Sequence, residues 1–193
     1  LGLQAAGATL VPINTRFKGA EAAPLIARTK AKALFTVTGF LDIDPVGMLA
    51  ASGVELPDLA HIVILDGAVP AGSESWDDFV EPGNEVGPEA VAAAVAAVTE
   101  NDLSDIMFTS GTTGTPKGVM MAHGQTLKLF TDWCDFADLR EGDRYLIVNP
   151  FFHMFGYKAG WLACLVRGAT ILPMPVFDVA TVLATVEREK VTV

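Results

Sequence analysis

The sequence predicts an α/β fold, with parallel-rich sheets and flanking helices. Three observations carry that expectation. Short apolar runs rich in β-branched and aromatic residues ("ALFTVT", "HIVILD", "RYLIVNP", "ATILP") alternate with longer stretches patterned as helices. Strands with apolar faces separated by helices favour a parallel sheet with helices packed on it. The chain of 193 residues is 51% hydrophobic and 19% charged, so it has the material for a core and is not a disordered chain.

The elements follow in order. "LGLQAAGA" reads as the end of a small-residue helix stopped by Gly7, and "TLVPIN" as a strand. A helix is expected from about Ala20 to Lys32, with Pro24 near its first turn, where proline costs least. After "ALFTVT" comes a helix and loop, then "HIVILD". The stretch of about residues 67–88 is rich in Gly, Pro, Ser and acid and reads as a surface loop, with "WDDFV" as a short helix within it. "PEAVAAAVAAV" is an alanine-rich helix, apolar almost all round, and is expected to pack against a neighbour. This divides the chain into a first α/β segment, 1–98, and a second, 99–193. In the second, "SDIMFT" and "GVMMA" are strands, and "QTLKLFTDWCDFADL" is a helix with Leu127, Phe130, Cys134 and Ala137 on one face. "RYLIVNP" is a strand, "GYKAGWLACLVRG" a helix closed by Gly168, and "ATILP" a strand. The last helix, in "FDVATVLATVEREK", has Asp178 as its N-cap.

The formal net charge of -10 argues against nucleic acid and anionic lipid as partners. Cys134 and Cys164 are the only cysteines and lack zinc spacing, so no metal site is expected and the thiols read as inert core residues of a reducing, cytoplasmic protein. No apolar run reaches the ~18 residues of a membrane span, and the start has no signal-peptide pattern. Both ends look cut: the chain begins inside a helix end and stops at "EREKVTV", where a helix hands over to a strand. The expected object is a piece of a longer protein, prone to pair with a second copy through exposed apolar faces. The alternative is a chain trimmed to its ordered part.

Between the strands "SDIMFT" and "GVMMA" lies "TSGTTGTPKG", far longer than a hairpin turn needs. Gly111, Gly114 and Gly118 free the backbone so that successive N–H groups can point inward. Thr109, Ser110, Thr112, Thr113 and Thr115 add hydroxyls, Lys117 adds one mobile positive charge, and Pro116 stiffens the exit. Those parts suit a polyphosphate. A Walker A loop does not fit, because Lys117 is followed by Gly118 rather than Ser or Thr and a strand, not a helix, comes next.

This ten-residue stretch resembles the phosphate-loop signature of the adenylate-forming superfamily, which comprises acyl-CoA synthetases, luciferases and nonribosomal peptide adenylation domains. "AAGATLVPINTRF", "NPFFHMFGYKAG" and "RGATILPMPVFDVATVL" resemble further segments of that family in order, so the resemblance spans essentially the whole chain. It implies the middle of the family's large N-terminal domain. "FFHMFGYKAG" with "INTRF" is most similar to actinobacterial acid–CoA ligases of steroid-ring degradation.

The resemblance implies an ATP-dependent carboxylic acid–CoA ligase. A carboxylate attacks the α-phosphate of Mg-ATP, and the thiol of CoA then displaces AMP from the acyl-adenylate. Thr109, Ser110, Gly111, Thr112, Thr113, Gly114 and Lys117 would hold ATP, and Lys117 and His153 would act in catalysis. His153, Phe155, Gly156, Tyr157 and Lys158 would line the acyl side, where a medium or cyclic acid is expected. Read without the family, His153 and the aromatics could be plain core, and Lys158 could face an acidic substrate or snorkel to solvent. His61 reads as structural, and Arg16 and Lys18 as a solvated turn. The family's magnesium, ribose and hinge signatures and its C-terminal domain have no counterpart here, so the chain alone is expected to be inactive. A non-catalytic ATP- or acyl-binding module and an adenylation domain that loads a carrier protein share the same loop.

Overall fold

The computed structural model describes residues 1–109 and 116–193. The chain forms two compact units, one of Ile13–Ala93 and one of Leu1–Pro12 with Ala94–Val193.

The first unit contains α2 (Gly19–Thr29), β1 (Ala33–Val37), α3 (Pro45–Ala50), β2 (His61–Asp66), β3 (Glu74–Ser75) and α4 (Trp76–Val80). Its three strands are parallel in the order β1-β2-β3, with Phe35 opposite Val63. Helix α2 starts where the Glu21 carboxylate accepts the Lys18 N–H at 3.0 Å, and it ends at Lys30 in the left-handed region. Because it begins at Gly19, Pro24 falls inside the helix rather than in its first turn, and the helix forgoes one backbone donor there. Asp44 and Ser75 cap α3 and α4. Ala23, Ile26 and Leu49 form the centre of the core, and Leu34, Val54, Leu56 and Leu59 pack against it. His61 pairs with Glu74 at 2.7 Å on the surface, a structural role as expected.

Helix α5 (Pro88–Ala97) contains the boundary between the units. It was expected to pack on a neighbour, but none of its residues is buried. Alanine propensity alone accounts for a helix here.

The second unit contains α1 (Gly2–Ala5), β4 (Leu103–Thr109), β5 (Lys117–Ala122), α6 (His123–Phe136), β6 (Arg144–Ile147), α7 (Met154–Gly156), a π-helical turn (Tyr157–Leu162), α8 (Ala163–Arg167), β7 (Thr170–Pro173) and α9 (Val179–Glu189). Strands β4 and β5 are antiparallel, and β6 and β7 are parallel. The strand expected over "TLVPIN" shrinks to a single parallel bridge from Leu10 to Asp105, since Pro12 has no N–H to extend a ladder. Leu10 donates to Ser104 O at 3.0 Å and accepts from Ile106 at 2.9 Å, which joins the first twelve residues to the second half of the chain. Thr192 donates to Arg144 O at 3.0 Å and Leu146 to Val193 O at 2.9 Å, so the segment after α9 runs beside β6. Asp178 caps α9 by accepting the Thr181 N–H at 2.8 Å, and Gly168 closes α8 at φ 74°.

The buried face of α6 is Thr126, Phe130 and Cys134. Phe130 and Cys134 of the predicted face are buried, but Leu127 and Ala137 are exposed, and Thr126, drawn inward by a buried hydrogen bond described below, takes the place expected for Leu127. No helix among the described residues is long and apolar enough to cross a membrane.

Candidate functional site

The Gly/Thr segment grows from the end of the β4–β5 pair. Thr109 and Lys117 are register partners, and the Thr109 hydroxyl donates to Lys117 O at 3.5 Å. Both residues are exposed. The hairpin therefore brings the two ends of the segment together, with Lys117 exposed opposite Thr109. The predicted phosphate contacts Ser110, Gly111, Thr112, Thr113 and Gly114 lie outside the described residues.

The second sequence-predicted cluster follows β6. His153 is exposed and caps α7: its Nδ1 accepts the Phe155 N–H at 3.2 Å. An Nδ1 that accepts leaves the ring proton on Nε2, so His153 holds a donor free for an oxygen ligand. Phe155 is half exposed and meets the Trp133 ring edge-on at 5.5 Å. Gly156 is buried where a Cβ would collide with the carbonyl oxygens of Asn149 and Pro150, so only glycine lets the chain turn there.

Tyr157 and Lys158 are placed differently from expectation. Tyr157 is buried, stacks on Trp161 at 5.1 Å, and its hydroxyl accepts from Gln4 Nε2 at 2.9 Å. Burial, reinforced by the nearby Asp105 charge, pushes its phenol up to about 12. Its ring is closed off from solvent by these contacts. Lys158 neither snorkels nor faces an open pocket. Its side chain is 0% exposed and its Nζ lies 2.7 Å from Asp105 Oδ2, which is also 0% exposed. Nζ donates further to Thr126 Oγ1 at 2.9 Å and approaches Met121 Sδ at 3.3 Å. Burial lowers the Lys158 pKa, and the hydrogen bond and charge of Asp105 oppose that shift. The Ser104 hydroxyl donates to the same Asp105 oxygen at 2.6 Å. Asp105 Oδ1 is buried without a hydrogen-bond partner.

Sequence reasoning missed Asp105, Ser104, Thr126 and Gln4. A signal existed: Asp105 stands inside the apolar strand "SDIMFT" and Lys158 inside the apolar stretch "GYKAGWLAC", two lone opposite charges in buried elements. Cys134 and Cys164 are buried free thiols as expected, with the Cys164 thiol pushed up to about 11 by burial. No three metal-ligating side chains converge among the described residues.

The chain is 47% identical over 196 residues to a 3-[(3aS,4S,7aS)-7a-methyl-1,5-dioxo-octahydro-1H-inden-4-yl]propanoyl:CoA ligase of Rhodococcus jostii, covering 100% of this chain and 38% of that protein. It is 45% identical over 193 residues to the ligase of the same name from Mycobacterium tuberculosis, covering 100% of this chain and 37% of the relative. The chain thus spans little more than a third of the length of these curated relatives. Among solved structures, the anthranilate CoA ligase AuaEII in complex with anthranoyl-AMP superposes with a TM-score of 0.77 at 27% identity, over 96% of this chain and 34% of that one. A model of the AMP-binding enzyme family matches residues 1–193, and the chain belongs to that family.

Proposed function

We propose that this chain supplies the phosphate-loop and histidine portion of an AMP-forming acid–CoA ligase whose substrate is a bulky, ring-bearing carboxylic acid. The observation that carries the reading is the β4–β5 hairpin, which holds Lys117 opposite Thr109 at the mouth of "TSGTTGTPKG". In the first step a carboxylate oxygen attacks the α-phosphorus of ATP, the bond to the β-phosphate breaks, and pyrophosphate leaves. Lys117 and the hydroxyls of the segment balance the charge that gathers on the leaving group. In the second step the CoA sulfur attacks the acyl carbon and AMP leaves. His153 Nε2–H is the donor offered to the substrate carboxylate or to the adenylate, and Phe155 with Trp133 offers an aromatic wall at low entropic cost. Magnesium enters with ATP as part of the substrate. The described residues gather no acidic or imidazole cluster of their own for it. We place the reaction in the cytoplasm, in line with two unpaired buried thiols.

The names of the two actinobacterial relatives point to a bicyclic propanoate as the acid class. The test is pyrophosphate release by the whole protein against a panel of acids, with and without CoA. The expected result is release with cyclic propanoates and formation of the CoA thioester. Highest kcat/KM on acetate would overturn the acid class. Pyrophosphate release without thioester formation would point to a carrier-protein thiol, and nucleotide binding without release to a non-catalytic module. His153→Ala should lower turnover while leaving thermal stability close to that of the parent.

A further inference from the structure

The strand that enters the phosphate segment and the turn that follows His153 are joined by one buried ion pair. Asp105 lies in β4, four positions before Thr109, and Lys158 lies in the π-helical turn, five positions after His153. Both side chains are fully buried at 2.7 Å, an arrangement that costs desolvation of two charges and is held only by good geometry and further hydrogen bonds. Such bonds reach Asp105 Oδ2 and the ammonium, while Asp105 Oδ1 has none. Ser104 serves the carboxylate and Thr126 the ammonium, and the two hydroxyls stand 3.5 Å apart.

The backbone is shaped to make the pair. A π-helical turn spans Tyr157–Leu162, and such turns are rare and occur frequently at functional sites. Residues 156–160 are buried in succession, a run that a helix with one buried stripe does not give. Gly156 and Gly160 let the turn press against the Asn149 and Pro150 carbonyls and against Ile147 of β6. On the strand side, a register irregularity falls between Leu103 and Asp105, and Asp105 sits between its β5 partner Met121 and the Leu10 bridge. Pure stability would be served as well by an apolar pair of the same volume. What apolar residues lack is direction: a charge pair fixes which residue of the turn meets which residue of the strand.

We propose that Asp105 and Lys158 are positioning residues: their ion pair locks β4 against the π-helical turn in one register and thereby sets the phosphate-binding end at Thr109 relative to the acyl end at His153. The catalytic part of this inference rests on the ligase reading above, while the lock itself does not. Thr126 is the third member, since it orients the Lys158 ammonium without carrying charge.

The test uses the whole protein with Lys158→Met, Asp105→Asn, the double variant and Thr126→Val. Each single change at the pair should lower the melting temperature, and the double variant, which buries no uncompensated charge, should recover most of that loss. Its kcat for pyrophosphate release should nevertheless stay about tenfold or more below the parent, with KM for ATP within about threefold, because alignment and not ground-state binding is lost. Thr126→Val, which keeps both charges of the pair, should lower kcat by about threefold with a smaller fall in melting temperature than either single change at the pair. Amide exchange at matched stability should rise together in the peptides around Asp105–Thr109 and His153–Gly160. A double variant whose kcat returns with its melting temperature, or whose exchange in both peptides equals the parent's, would overturn the proposal and leave a pair that only stabilises. If the parent releases no pyrophosphate with any acid, the ligase reading fails, and the exchange result alone then decides for or against the lock.

Discussion

Among the described residues, the unit of Ile13–Ala93 buries only apolar side chains and one glycine: Ala23, Leu25, Ile26, Leu49, Val63, Ile64 and Gly19. The other unit buries Ser104, Asp105, Thr126, Lys158 and Thr185 beside its apolar residues. The two cores are therefore held by different physics. The first depends on apolar area, which is non-directional and tolerant of repacking. The second adds hydrogen bonds and one ion pair, which act only at set distances and angles. Ser104, Asp105 and Lys158 lie on the strand that ends at Thr109 and in the turn that follows His153, the two clusters proposed for chemistry, where a shift of an ångström matters. The apolar unit carries no such clusters, and its core needs only to hold together.

The comparison can be broken most severely at its charged centre. Asp105→Ala leaves the Lys158 ammonium buried without a counter-charge and is expected to cost about 3–5 kcal/mol in urea denaturation. Leu49→Ala in the apolar unit should cost about 2–5 kcal/mol through lost contacts and a residual cavity. Adding Lys158→Met should restore much of the first loss, whereas the second is additive with either change. An Asp105→Ala cost below about 1 kcal/mol would mean that water reaches the pair, and the contrast between the cores would lose its basis.

Lys117→Ala tests the other side of the same contrast, a lysine exposed at the hairpin mouth. It should weaken ATP-dependent adenylation by about 1.5–3 kcal/mol, read from kcat/KM, while the melting temperature stays that of the parent. A fall in stability equal to the fall in activity would assign Lys117 to the fold instead.

The smallest effect is alkaline. Both tyrosines and both cysteines belong to the unit of Leu1–Pro12 with Ala94–Val193. Burial raises Cys164 from 9.0 to about 11 and Tyr157 from 10.0 to about 12. A raised acid binds its proton more tightly in the folded state. Its contribution is complete below the unfolded value and is lost as pH climbs through the folded one. Stability should hold up to about pH 9 and decline towards pH 12. Tyr157→Phe should flatten the part of that decline between about pH 10 and 12. Amide exchange should show the loss beginning in the unit that holds these groups. An equal loss in the Ile13–Ala93 unit over the same range would remove the asymmetry.

Local signals in the sequence were enough to place most elements. Asp178 before "VATVL" announces a cap because its carboxylate can reach the Thr181 N–H, and Gly168 announces a stop because it tolerates positive φ. The errors arose where partners distant in sequence decide. Nothing near Leu127 says that Thr126 will be drawn inward by a lysine 32 residues away. "TLVPIN" has strand composition, yet only Leu10 finds a ladder. The all-round apolar character of α5 implied a neighbour that no described residue provides.

By itself, then, the sequence determined the alternation of strands and helices and the family through "TSGTTGTPKG", because propensity, capping and a contiguous motif are properties of neighbours along the chain. Only the tertiary structure decided that Lys158 is a buried partner of Asp105, that Tyr157 is closed off by Gln4 and Trp161, and that His153 is left with Nε2–H to donate. These outcomes depend on desolvation and on polar contacts between residues 53 or 153 positions apart or on a local cap, and a charge or a ring nitrogen takes its role from the groups that surround it in space.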